Sequence, residues 1–308
     1  MDKKIKTILF GAGVYGERFI NLDKTQREYI VAVDNDTKKH NTDFNGMNII
    51  SPNDIEKYQY DEIIITSYWE HSIKKQLIEE LNVDPTKIVT ISKNLLKDTQ
   101  EPFKDSATLK LAREMIVQLC GNAFKQDLPL HIDYGTLIGI MRDNDIIEWD
   151  DDIDLAIKEK FQEQLELFLI NEIKEINKSI DFTLIKHTGN GVVMSYIIKC
   201  VSKHYKEFTI DICLKQIKDG YAEQLSSLGQ WKNPAHCVEK LDSIIWQNTK
   251  IFIPSDHDTY LTYTYGDWKT PIKNLTFTDG YNPDNLIEIP AEDFLNTEFI
   301  NTILIRGK

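Results

Sequence analysis

The chain has 308 residues, 41% of them apolar, and a net charge of −13. That length accommodates two domains with real cores, and the acidic balance argues against nucleic acid, which selects a basic face. No stretch approaches the ~18 apolar residues of a membrane span. The basic start through Lys6 runs into an apolar segment that glycines cut short, unlike a signal peptide. Cys120, Cys200, Cys213 and Cys237 lie far apart without C-x-x-C pairing. They read as buried thiols of a reducing compartment, not a disulfide frame or a zinc site. The expectation is a soluble, cytoplasmic protein whose membrane association, if any, comes through a partner or a lipid-linked acceptor.

Residues 5 to 10 predict a buried strand that runs into Gly11-Ala12-Gly13-Val14-Tyr15-Gly16, then a helix from Glu17 and a second strand over 29 to 33 ending at Asp34. This is the G-x-G-x-x-G fingerprint in its proper setting. Gly11 permits the turn, Gly13 lets a phosphate approach the backbone, Gly16 lets helix and strand pack closely, and Asp34 would bond a ribose hydroxyl. Further strands are expected over 47 to 50, 61 to 67 and 87 to 91, with a helix start at Ser51-Pro52 and a helix over 71 to 81. Together they predict a compact, mostly parallel α/β sheet of about five strands in residues 1–95. A full dinucleotide fold needs two such halves, and His71 reads as an exposed helix residue, so hydride chemistry is not expected. The module resembles the Rossmann-like N-terminal domains of bacterial sugar-modifying enzymes. Its glycine loop either binds a nucleotide of unknown identity or serves structure and assembly. Residues 96–105, polar and containing Pro102, read as a linker.

The second domain is expected over 106–308. A helix begins at Ser106, with Leu109, Ala112, Met115, Ile116, Leu119 and Phe124 at helical spacing. A strand over 130 to 134 follows, then the turn Gly135-Thr136, an apolar helix over 137 to 141, and Arg142. Next comes Trp149-Asp150-Asp151-Asp152-Ile153-Asp154-Leu155. On a strand, Asp152 and Asp154 share one face while Ile153, Leu155 and Ile157 enter the core. Carboxylates so close repel unless a cation lies between them, and an all-oxygen site suits Mg²⁺ or Mn²⁺. The alternative is a solvated acidic turn. By alternation Asp151 faces away, and Asp150 sits at the strand's mouth, outside the ligand set. A strand over 207 to 214 carries Asp211 on one face with Thr209 and Cys213. A carboxylate among apolar residues is costly unless paired or metal-bound. Asp211 is therefore either a third ligand or a core ion pair. His131, His187 and His236 lack metal-ligand spacing.

Strand, Gly-Thr turn, helix and Asp-x-Asp strand form the layout of a nucleotidyltransferase-like α+β fold. The run Gly135-Thr-Leu-Ile-Gly-Ile-Met-Arg142, followed by Ile147-Glu-Trp-Asp-Asp-Asp-Ile-Asp154, resembles the LicD family, which is related to fukutin and fukutin-related protein. The strand at Asp211 and Tyr265-Gly266-Asp267-Trp268-Lys-Thr-Pro271 agree with it, so the resemblance covers roughly 105 to 275. It implies a phosphotransferase moving phosphocholine or a polyol phosphate from a CDP-linked donor to a sugar hydroxyl of a bacterial capsule or surface glycan. Matched residue by residue, Asp152 and Asp154 are the metal pair, with Asp211 as the later acid. Gly135 and Thr136 are the phosphate turn, and Arg142 is the family arginine.

The donor's negative charge also calls for local cations. Arg142 is the first candidate, with Lys269 and Lys273 either helping or standing as ordinary surface lysines. Trp149, Tyr263, Tyr265 and Trp268 are either a cation–π cage for a choline-like head group or plain core. Residues 158–200 match nothing and leave room for acceptor recognition. Two other readings use the same residues. One is a nucleotidyltransferase making a CDP-linked molecule from CTP and a phosphorylated substrate. The other is a non-catalytic nucleotide-binding assembly module. Donor head group, acceptor and oligomeric state stay open.

Overall fold

The structure, a computed structural model, describes residues 4–23, 25, 27–67, 69–92, 101–175, 180–229, 231–273, 282, 293 and 296–306. They form two compact units. One holds the described residues up to 92 together with Ile272 and Lys273; the other holds those of 101–271 and from 282 onward. No helix among the described residues is long and apolar enough to cross a membrane.

The first unit is a mixed sheet built from β1 (Ile5–Phe10), β2 (Arg27–Val33), β3 (Asp43–Phe44), β4 (Met47–Ile50), β5 (Glu62–Ile65) and β6 (Ile88–Thr90), in the order β3-β4-β2-β1-β5-β6. Five strands are parallel, and only β3 runs antiparallel, to β4. Both faces are covered, which is why β1 reads as a continuous apolar run. Ile8 and Phe10 join Val31, Val33, Ile63 and Ile65 on one side, while Leu9 joins Ala32 and Ile64 on the other. The order reverses at β1, and the glycine loop leads from there into helix α1 (Val14–Leu22). Open α/β sheets place ligands at such a reversal. The helix expected over 71 to 81 is α2 (Glu70–Lys75), which widens into a π-helical turn over Gln76–Glu80.

The second unit carries a mixed ten-stranded sheet with helices. Helix α3 (Ser106–Lys125) is capped by Asp105, whose carboxylate accepts from the Thr108 amide at 2.8 Å. It buries Leu111, Ala112, Met115, Ile116, Leu119 and Cys120. The residues just before it are not a loose connection: Phe103 is fully buried and meets Phe208 edge-on at 5.6 Å. Then come β7 (His131–Ile132), α4 (Tyr134–Asp143), β8 (Asp152–Lys158), α5 (Gln162–Glu175), β9 (Asp181–Gly189), β10 (Val192–Val201) and β11 (Phe208–Lys218). The remainder is β12 (Tyr221–Gln224), β13 (Lys232–Pro234), α6 (His236–Glu239), β14 (Leu241–Trp246), β15 (Thr249–Pro254), α7 (His257–Tyr265) and β16 (Phe299–Arg306). The order is β14-β15-β7-β8-β11-β10-β9-β16, with β12 and β13 branching from β11. The strand expected over 130 to 134 is only two residues long, because Asp133 caps α4 and Tyr134 already belongs to the helix. Residues 158–200 supply α5, β9 and β10, which extend the sheet away from the acids.

Candidate functional site

At the centre of the second sheet, β8 and β11 run parallel, with Asp154 level with Asp211 and Asp152 level with Thr209. Alternation does what the sequence predicts. Ile153, Leu155, Ile157, Phe208, Ile210, Ile212 and Leu214 are buried in the core, whereas Asp152, Asp154, Thr209 and Asp211 stay half-buried on the opposite face. The strand begins only at Asp152, so Asp151 lies before it and alternation does not fix its direction. One oxygen from each of Asp150, Asp151 and Asp152 lies within 4.8 Å of the others. The expectation that Asp151 turns away from the site is therefore corrected, and Asp150 belongs to the acid group itself.

The turn between β7 and α4 holds this acid face. The Gly135 amide donates to Asp154 Oδ2 at 3.0 Å, and the Asp154 amide donates to Thr136 Oγ1 at 2.8 Å. Thr136 is buried. Both groups thus position Asp154, which differs from the phosphate contacts expected of them. Residue 135 has no room for a side chain. A Cβ there would stand 2.4 Å from Asp150 Oδ2 and 3.3 Å from Asp154 Oδ2. Two carboxylates therefore converge over this glycine. Burial raises the Asp154 pKa well above the usual carboxylate range, and the charges of Asp152, Asp150, Asp211 and Asp133 push it the same way.

A donor set made only of carboxylate oxygens fits a hard divalent cation such as Mg²⁺ or Mn²⁺. Among the described residues, the oxygens of Asp150, Asp151 and Asp152 group closely enough to hold one, with Asp154 beside Asp150 over Gly135 and Asp211 level with Asp154. A cation would offset both the burial and the like charges that raise the Asp154 pKa.

The expected cations lie elsewhere. The Arg142 guanidinium sits at the far end of α4, bonds both oxygens of Asp143, and donates to the Trp268 carbonyl at 3.4 Å. Lys269 pairs with Asp258 at 2.7 Å across an exposed surface. Lys273 is exposed and groups with the first unit. Of the aromatics, Trp268 is buried in the core, while Trp149, Tyr263 and Tyr265 are half-buried. His131 is also core. Its burial pushes the imidazole pKa down to about 4. The four cysteines are free and buried.

In the first unit, the glycines of the loop have distinct surroundings. Gly11 has φ +117°, and a Cβ there would stand 2.7 Å from the Thr66 carbonyl oxygen. A Cβ at Gly16 would stand 2.3 Å from the Gly11 oxygen, whereas one at Gly13 would meet nothing within 4 Å. Asp34 turns inward. Its Oδ2 accepts from the Ala12 amide at 3.1 Å and from Lys39 Nζ at 2.8 Å, and its Oδ1 accepts from the Asp36 amide at 2.9 Å. Sequence reasoning found Gly11, Gly13, Gly16 and Asp34 but not Lys39, which nothing in the fingerprint announces.

Residues 127–256 match the family model described as LicD/FKTN/FKRP, nucleotidyltransferase domain, and residues 3–89 match that described as C2185-like, N-terminal. The first match contains every acid of the site and the Gly135 turn, and it supports a transferase. It ends before Lys269 and Lys273. No curated protein matches the chain. Similar solved structures include UDP-D-quinovosamine 4-dehydrogenase from Vibrio fischeri, 24% identical over 30% of this chain and 84% of that one, with a TM-score of 0.26. Two myo-inositol dehydrogenases also appear. That from Corynebacterium glutamicum is 10% identical and that from Lactobacillus casei 13%, each over 82% of this chain and 75% of its own, with TM-scores of 0.23 and 0.24. Scores this low bear on neither fold nor function.

Proposed function

We propose that the chain is a metal-dependent transferase that moves a phosphorylated head group, phosphocholine-like or a polyol phosphate, from a CDP-linked donor to a sugar hydroxyl of a bacterial capsule or surface glycan. The observation that carries this reading is the convergence of Asp150 and Asp154 over Gly135, with Asp151 and Asp152 grouped beside Asp150 and Asp211 level with Asp154, inside the segment that matches LicD. A nucleotidyltransferase-like fold for the second unit is part of the same proposal. The five acids would hold Mg²⁺ or Mn²⁺, which supplies charge neutralisation for the phosphoryl oxygens. Gly135 and Thr136 keep Asp154 oriented. Asp211, on the neighbouring strand, takes the proton of the acceptor hydroxyl. A new O–P bond forms as the P–O bond to CMP breaks, and CMP leaves with the electron pair. With Arg142 and Lys269 engaged by acids, bringing either to the donor requires exchange of Asp143 or Asp258.

The test is CMP release from CDP-choline and CDP-ribitol in the presence of glycan acceptor, with Mg²⁺ and then with chelator. Metal-dependent CMP release is expected. Silence with every CDP-alcohol would sink the reading. Pyrophosphate release from CTP would instead support nucleotidyl transfer, which the same acids can serve.

For the first unit we infer a nucleotide at the Gly11–Gly16 loop, supported by the open space over Gly13 and the sheet reversal beside it. A ribose hydroxyl would reach Asp34 by displacing Lys39. Mass spectrometry of nucleotides that co-purify with the protein checks this; none bound, and none taken up on incubation, would refute it.

A further inference from the structure

Among the buried charged groups that the transfer reading leaves unused is a lysine. Lys215 of β11 is completely buried. It lies on the same strand face as Asp211, four residues further along, or about 13 Å. A buried lysine is costly unless its charge is matched and its donors are used. Here the charge faces a buried carboxylate and two donors are bonded. Its Nζ lies 2.6 Å from Oδ2 of the equally buried Asp133, donates to Asn233 Oδ1 at 3.0 Å, and donates to Tyr260 Oη. Tyr260 Oη in turn donates to Asp133 Oδ1 at 2.5 Å. Asn233 Nδ2 donates to Thr264 Oγ1 at 2.6 Å, and Thr264 Oγ1 donates to the Tyr260 carbonyl at 2.9 Å. The ring therefore closes through β11, β13 and α7.

Asp133 is where this ring meets the acid site. Its Oδ1 also accepts from the Tyr134 amide at 2.9 Å, its carbonyl accepts from the Leu137 amide at 2.9 Å, and its own amide donates to the Asp154 carbonyl at 3.0 Å. Tyr134, next in the chain, has φ +40°. Left-handed backbone at a bulky residue is strained and persists only where its surroundings impose it. The imposing contacts are the Asp133 cap and the bond from Tyr134 Oη to Gln224 Oε1 at 2.7 Å. The next two residues, Gly135 and Thr136, are those that grip Asp154.

We propose that Lys215 and Tyr260 are positioning residues for the transfer reaction. They hold Asp133, and through the strained Tyr134 turn they fix the direction in which Asp154 presents its carboxylate to a divalent cation. Neither touches the reacting atoms. This rests on the transfer reading for its kinetic half only, because the metal-binding half can be measured without turnover.

The test uses full-length Tyr260→Phe, which removes one hydroxyl and keeps the ring. A second variant, Lys215→Met with Asp133→Asn, removes both buried charges together and leaves an asparagine able to cap Tyr134. Each is measured for Mn²⁺ binding by electron paramagnetic resonance, for thermal stability, and for kcat and KM in CMP release. Loss of an outer partner of a metal ligand typically costs about 10–100-fold. Both variants should therefore bind Mn²⁺ at least about tenfold more weakly and lose kcat by a similar factor, with KM for the donor within about threefold. Folded variants with wild-type Mn²⁺ affinity and kcat, whatever their melting temperature, would overturn the proposal by reducing the ring to a stabilising element. A wild-type protein that binds no Mn²⁺ would overturn it too. Weakened Mn²⁺ binding in a protein that releases no CMP would uphold the positioning role while ending the transfer reading.

Discussion

The two units use the same local device and surround it with opposite electrostatics. In each, an aspartate on or just after a core strand accepts from an amide of a glycine turn: Asp34 from Ala12 at 3.1 Å, and Asp154 from Gly135 at 3.0 Å. Asp34 is then matched by Lys39 and the Asp36 amide. Burial raises the Asp154 pKa well above the usual carboxylate range, and the charges of Asp152, Asp150, Asp211 and Asp133 push it the same way. A satisfied carboxylate stabilises a fold. A carboxylate crowded by its own kind favours a neighbouring cation. Identical sequence logic, strand then glycine turn then acid, thus yields a charge-matched carboxylate in one place and a crowded one, proposed to bind metal, in the other.

The sharpest way to break that contrast is to neutralise each acid. Asp154→Asn should abolish CMP release, by at least about a thousandfold if electrostatic stabilisation by the metal dominates. It should leave the melting temperature of the metal-free protein unchanged or higher. Asp34→Asn should do the reverse, costing about 1–2 kcal/mol for the impaired contacts, with kcat retained. Comparable loss of stability in both variants, read by denaturant unfolding, would erase the distinction.

The glycines sharpen it next. Gly16→Ala would put Cβ 2.3 Å from the Gly11 oxygen, a backbone atom with little freedom, and should destabilise by about 1–3 kcal/mol. Gly135→Ala meets a side-chain oxygen of Asp150 instead. That carboxylate can swing aside, so stability should fall little while Mn²⁺ binding weakens by at least about tenfold. Gly13→Ala meets nothing and should change stability by under ~0.5 kcal/mol. Circular dichroism melts and Mn²⁺ titrations of the three variants separate these outcomes.

How much of this was legible depends on how local each feature is. The strand Ile5–Phe10, the tight turn at Gly11 and close packing at Gly16, and the alternation that puts Asp152, Asp154 and Asp211 on one face follow from period and spacing, and the structure reproduces them. The turn before β8 has no period, so Asp151 was misassigned. The Gly-Thr turn was legible as a turn, but its partner was not. Whether an amide faces a phosphate or the Asp154 side chain depends on how α4 docks on β8. The Lys215 ring joins residues 133, 215, 233 and 260, and no window of sequence brings them together. Arg142 matches its motif position and pairs with the next residue, Asp143, a contact the motif does not announce.

The metal-free protein should also report the contrast through pH. Asp154 titrates above its unfolded value, so the native state binds more protons across that window. Its contribution to stability therefore falls as pH rises through the window and recovers as pH drops toward the ordinary carboxylate value. His131 acts oppositely. Its pKa is pushed down to about 4, so stability is lost as pH falls below the ordinary imidazole range. Comparing melts with and without Mn²⁺ at each pH cancels His131 and isolates the acid site. The rise in melting temperature caused by Mn²⁺ should be larger near pH ~8 than near pH ~5. Asp154→Asn should flatten that difference. An equal rise at both pH values in the unaltered protein would mean that Asp154 does not bind the cation.

A small effect belongs to Lys39. Its side chain is 39% exposed, and its pair with Asp34 stands beside two backbone amides that already satisfy the carboxylate. An exposed ion pair of this kind contributes about 0–1 kcal/mol. Lys39→Met should therefore lower stability by no more than about 1 kcal/mol, and less in high salt, where the pair is screened. A loss above ~2 kcal/mol in denaturant unfolding would show that Asp34 depends on its cation as Asp154 is proposed to depend on a metal. The difference between the two acids would then be which cation each recruits, a lysine already in the chain or an ion from solution, rather than whether each needs one.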